Sequence, residues 1–123
     1  MSYSKCLIAG RNGKTLEVEQ VDLFDLSIGE MDFSIAIHAA SVIANAPESR
    51  PLVVSLYETG CKIANLSVSG TAAVLYGNIK SLGQDRLRSM AQASIESVAT
   101  EIGCERLAQL LKNSLIDRTH LNA

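Results

Sequence analysis

Four carboxylates, Asp22, Asp25, Glu30 and Asp32, crowd one short stretch of this chain. Two carboxyls held close together can divide the duties of general acid and general base. Ser27 and Glu30, however, have the spacing of a capping box, and Asp32 then falls in the first turn of a helix, where negative charge is favoured. Solvated charge at a helix entrance is the expectation, with an acidic contact surface for a basic partner as the intermediate option. "GRNGKT" ends like a phosphate-binding loop, because Gly13, Lys14 and Thr15 fit its last three places. The first glycine of that motif would stand at position 8, which is Ile8, and a strand is indicated where a helix should follow. A hairpin turn is the reading, with no nucleotide site. Cys6, Cys61 and Cys104 lie far apart, and His38 and His120 have no cysteine or carboxylate at ligand spacing, so no metal and no cysteine nucleophile are expected. Asn65-Leu66-Ser67 has the letters of a glycosylation sequon inside an expected strand of a chain read as non-secreted. No catalytic residue, cofactor or metal ligand is assigned, and the chain is read as no enzyme.

What must position these residues is one domain of 123 residues, 47 % apolar and 20 % charged, a globular balance. The formal charge of −2 argues against nucleic acid, which needs a basic patch. Residues 1–48 carry three basic and seven acidic side chains, so the negative potential is mild and N-terminal. "MSYSKCLIAGRNG" has neither the charged lead nor the long apolar core of a secretory signal, and no segment approaches the roughly 18 apolar residues of a membrane span. Three scattered thiols suit a reducing compartment. The expectation is a cytoplasmic protein without membrane insertion.

"KCLIAG" and "TLEVEQV" flank Asn12-Gly13, the strongest short hairpin signal, and so predict a β-hairpin. "DLFDL" reads as a bridge. "PLVVSLYE", "CKIANLSV" and "TAAVLYG" predict three further strands, antiparallel because Thr59-Gly60 and Ser69-Gly70 join them tightly. A helix is predicted from about Gln84 to Ile102, with Leu87, Met90, Ala91, Ile95, Val98 and Ile102 on one stripe and Gly103 as its stop. Leu107, Leu110, Leu111 and Leu115 mark a short amphipathic helix over 104–116, followed by a tail over 117–123.

Residues 27–46, "SIGEMDFSIAIHAASVIANA", read as a helix started by the capping box and ended by Pro47. At 100° per residue Ile28, Met31, Ile35, Ala39, Val42 and Ala46 form one apolar stripe, while Phe33, Ile37, Ala40 and Ala44 form a second nearly opposite. A sheet can cover only one of them. The second would pack under the C-terminal helices or, preferably, form a subunit interface in which Ala40 and Ala44 allow close approach.

The order hairpin, helix, three-stranded meander, helix, carried by "CLIAGRNGKTLEVE", "PLVVSLYETGCKIANLSVSGTAAVLYG" and "LGQDRLRSMAQASIESVATEIG", resembles the roadblock (dynein light chain) family and its longin-like relatives. The likeness spans residues 5 to 102. It implies an α/β fold of α+β type, a five-stranded antiparallel sheet with elements ordered ββαβββα plus a short C-terminal helix. It also implies a non-catalytic dimeric scaffold or regulator, pairing through Phe33, Ile37, Ala40 and Ala44 with the strand that holds Leu52 and Val54. The pair would be a homodimer, or a heterodimer with a similar fold, and a small GTPase or a multi-protein complex the partner. The alternative is a profilin- or PAS-like small-molecule sensor with its ligand between sheet and helix, although five aromatics and no Trp leave little to line such a pocket.

Overall fold

The computed structural model describes residues 4–9, 14–40, 50–68, 72–75, 77, 79–117 and 122. Strands β1 (Ser4–Ala9), β2 (Thr15–Ile28), β3 (Met31–Ala39), β4 (Leu52–Leu56) and β5 (Cys61–Asn65) form an antiparallel meander in the order β1-β2-β3-β4-β5. A two-stranded ribbon of β6 (Ser67–Val68) and β7 (Ala72–Ala73) follows. Helices α1 (Ile79–Leu82), α2 (Gln84–Ile102) and α3 (Cys104–Asp117) complete the chain. The class is α+β, with a five-stranded antiparallel sheet and helices, as the sequence predicts. No helix among the described residues is long and apolar enough to cross a membrane.

The membership of the sheet differs from the expectation at two places. Residues 27–39 are not helical: "DLFDL" and Ser27-Ile28 belong to β2, and Met31–Ala39 is the central strand β3. The cause is visible in the letters. Met31, Phe33, Ile35, Ile37 and Ala39 alternate with period two, and a period-two run laid on a helical wheel fills both sides of it. Gly29 and Glu30 are the hairpin loop between paired Ile28 and Met31. Gly29 has φ 65°, and a primed two-residue turn needs a positive φ at its first central position. The supposed cap is therefore absent: Ser27 stands opposite Asp32 and bonds its carboxylate. Residues 41–49, including Ala44, Ala46 and Pro47, lie outside the described residues. "TAAVLYG" leaves the main sheet as well, contributing β7 and a bridge from Leu75 to Pro51.

One face of the sheet carries the main core. Ile28, Phe33, Ile35 and Ile37 from the β2–β3 hairpin join Leu52, Val54 and Leu56 of β4, Leu87, Ala91 and Ile95 of α2, and Leu107, Ala108 and Leu111 of α3. The helices fall where their 3.6-residue spacing puts them. Gly103, at φ 96°, makes the reversal between α2 and α3, and its N–H bonds the Ala99 carbonyl at 2.7 Å. α2 is also pinned by charge. Arg88 reaches the buried Asp22 of β2 at 2.6 Å, Gln84 adds a bond at 3.0 Å, and the guanidinium lies 5.6 Å from the Phe24 ring centroid. Burial pushes the Asp22 carboxyl up, but hydrogen bonds from Arg88, Gln84 and the Leu23 amide, with the Arg88 charge, outweigh it and hold the group below its usual range.

Register shifts at Gln20/Asp22 and at Val54/Ser55 add twist, and the sheet curls until β1 meets the β4–β5 turn. There the Ala9 N–H bonds the Gly60 carbonyl at 3.1 Å. A Cβ on Gly60 would sit 2.6 Å from Ile8 Cα, and the residue has φ 66°, so only glycine fits this approach. Asn122 clasps the same junction. Its side chain accepts from the Leu7 N–H at 3.0 Å and donates to the Leu7 and Tyr57 carbonyls at 2.8 and 2.6 Å. At this position the expected tail is docked.

Candidate functional site

Curling turns the second face of the sheet into a concave surface. The pairings Cys6↔Val18 and Ile8↔Leu16 stack one apolar wall on it, and His38↔Val53 with Ala36↔Ser55 supply the opposite side. Cys6, Ile8 and Val18 form a small core of their own, and burial pushes the Cys6 thiol up to about 11, leaving it protonated and unreactive at neutral pH. Between the walls lies a cavity of about 710 Å³ whose floor includes His38 and Ser55 and whose border includes Lys14, Lys62 and Asn65.

His38 and Ser55 are both only 1 % exposed and are joined side chain to side chain. His38 Nδ1 lies 2.8 Å from the Ala39 carbonyl oxygen, an acceptor, so this nitrogen carries the proton. Nε2 is then the acceptor of the Ser55 hydroxyl at 2.7 Å. Burial, with the nearby Lys62 charge, lowers the imidazole pKa against the opposing pull of the Ala39 carbonyl, so the ring is neutral at pH 7. A hydroxyl donating to a histidine is the geometry of an activated nucleophile. Here the far nitrogen meets a neutral carbonyl, whereas a triad has a carboxylate in that place to stabilise an imidazolium. The pair satisfies two buried polar groups and presents one serine oxygen to the cavity.

A second depression, an apolar groove of about 480 Å³, runs between β5 and the α2–α3 corner. Cys61, Ile63, Val98 and Leu111 line it, Ile102 and Leu110 stand 37 % and 49 % exposed beside it, and β5 ends the sheet.

The residues expected to form the pairing surface are distributed otherwise. Phe33, Ile37, Leu52 and Val54 are buried at 3 %, 0 %, 0 % and 0 % in the chain's own core, under α2 and α3. A helical face made from them does not exist, because they are inward positions of two neighbouring strands. Ala40 borders the concave cavity, and Ala44 lies outside the described residues. The carboxylates of the expected acidic loop lie on the β2–β3 hairpin instead: Asp22 is buried against Arg88, Asp25 accepts from Ser34 at 3.2 Å and Asp32 pairs with Ser27. His38, which the sequence gives no metal or catalytic partner, is in the buried floor of the cavity, while Ser55 carries no signal beyond its alternation within "LVVSL". His120 lies outside the described residues. Among the described residues no three His, Cys, Asp or Glu side chains are grouped to hold a metal. Comparison with protein-family models, with curated proteins and with solved structures finds no match.

Proposed function

We propose that this chain is a non-catalytic interaction module that works as a homodimer, holding or regulating other proteins. One observation carries the reading: Leu110 and Ile102 stand exposed over an apolar groove beside the terminal strand β5. Exposed apolar patches of this kind mark contact surfaces. The occupant is a second copy of the chain. Antiparallel pairing of two β5 edges about a twofold axis presents the same patch from both sides, and a formal charge of −2 opposes the approach only weakly. The roadblock resemblance points the same way, since members of that family pair partly through an edge strand, and it alone suggests a small GTPase or a larger complex as the downstream partner. Three free cysteines support a cytoplasmic setting.

The test is the oligomeric state. Sedimentation at micromolar concentration should give a dimer, and Leu110→Glu, at an exposed position, should give a folded monomer. A wild-type monomer under these conditions removes the proposal.

The concave cavity favours a second reading, a small-molecule sensor, with the ligand on the face opposite the helices rather than between sheet and helix. Titration calorimetry against pooled metabolites separates the two, since only a sensor releases heat with them.

A further inference from the structure

We infer that the concave cavity takes a small amphipathic organic anion, an apolar body that carries one acidic group and one N–H or O–H donor. This rests on the sensor reading and specifies its ligand.

Charge is the first argument. Lys14 and Lys62 border the cavity, both are exposed, and neither has an ion-pair partner among the described residues. The other lining side chains bring no carboxylate. Lysines over a concave, low-dielectric wall raise the local concentration of anions, and an acidic group there gains attraction with little desolvation. The field of Lys62 reaches the floor, where it helps to keep His38 neutral.

The wall supplies the second argument. Ile8, Leu16 and Val53 meet the interior with apolar surface, and Leu16 is 47 % exposed in a strand where a buried partner would cover it. A fully hydrated inorganic ion leaves such surface wet, whereas an apolar body removes it from water.

The floor sets the third feature. The Ser55 hydroxyl hydrogen is committed to His38 Nε2, and Nδ1 is committed to the Ala39 carbonyl. What remains for a ligand is the lone pairs of the serine oxygen, which accept and do not donate. At the floor a ligand therefore meets an acceptor and no free donor, so an N–H or O–H is matched there and a further acceptor is not.

The probe is 8-anilinonaphthalene-1-sulfonate, which has an aromatic body, an N–H and a sulfonate. Its uncharged counterpart is N-phenyl-1-naphthylamine, which lacks only the sulfonate. The full chain should bind one equivalent of the sulfonate saturably and the neutral dye at least tenfold more weakly. The double variant Lys14→Glu/Lys62→Glu and the single variant Leu16→Glu, all at exposed positions, should each weaken the sulfonate about tenfold at an unchanged melting temperature. Raising the salt should weaken it in the wild-type. Equal binding of both dyes, indifferent to lysine reversal but lost in Leu16→Glu, overturns the anion and leaves a sensor for neutral ligands. Binding lost in Leu110→Glu and kept in Leu16→Glu places the dye in the groove and overturns the site. No binding of either dye removes the sensor reading together with this one.

Discussion

The two faces of the sheet share strands but differ in packing. Val54 and Val53 are neighbours on β4 and point to opposite sides. Val54 is fully enclosed among side chains of the sheet and both long helices, whereas Val53 borders an open cavity beside a buried Ser–His pair. Among the described residues the covered face is apolar, with the buried Asp22 carboxylate answered by Arg88, and so acts as the structural half. The concave face tolerates a void and polar groups that a core optimised for stability would exclude. A fold that concentrates its packing on one face can leave the other free for recognition.

Removing the covering should have the largest effect. A chain ended after Gly103 loses Leu107, Ala108 and Leu111 from the core and the Asn122 clasp, and should lose about 2–4 kcal/mol in urea unfolding. An unchanged midpoint would mean that α3 is an appendage and the two faces are equally bare. The valine pair sharpens the comparison with one substitution made twice. Val54→Ala should cost about 2–3 kcal/mol, including the cavity that it opens, and Val53→Ala about 1 kcal/mol, because its neighbourhood is already incomplete. Equal losses would erase the distinction between the two faces. Asn122→Ala removes three hydrogen bonds at a partly exposed junction and should cost about 1–2 kcal/mol, with faster amide exchange at Leu7 and none of this at Val54.

Acid should separate the faces by pH window with the smallest change. His38 has a folded pKa below its ordinary 6.5, so the unfolded chain takes up the proton first and stability falls as pH drops below 6.5. Asp22 has a folded pKa below its ordinary 3.8, so its contribution is present above 3.8 and is lost only as pH falls through the lower folded value. The concave face should therefore weaken first. Imidazole NMR of His38 titrating above 6.5 would reverse the order.

The helices were legible because each carries its own record. Leu87, Ala91 and Ile95 repeat at helical spacing, and Gly103 punctuates them, so α2 and α3 lie within a residue of their expected limits. The β1–β2 hairpin, β4 and β5 were equally local. β3 was not, because Ser27 and Glu30 imitate a cap and the small residues Ala36, Ala39 and Ala40 are at home in helices. The candidate site lay further out of reach. His38 and Ser55 are 17 positions apart and meet only through the β3–β4 register, which no local pattern specifies. The Asn122 clasp joins positions 115 apart through one carboxamide, with no periodicity to announce it.

That clasp also occupies part of one edge of the sheet. A sheet with two open edges can add a neighbour at each end and grow into a fibre. On β1 the Leu7 amide and carbonyl are taken by a side chain that imitates a strand, and the Ala9 amide is taken by Gly60. Growth from that end must first displace these bonds. With β1 blocked, the pairing through β5 proposed above would leave both outer edges closed, and such assembly would halt at two copies.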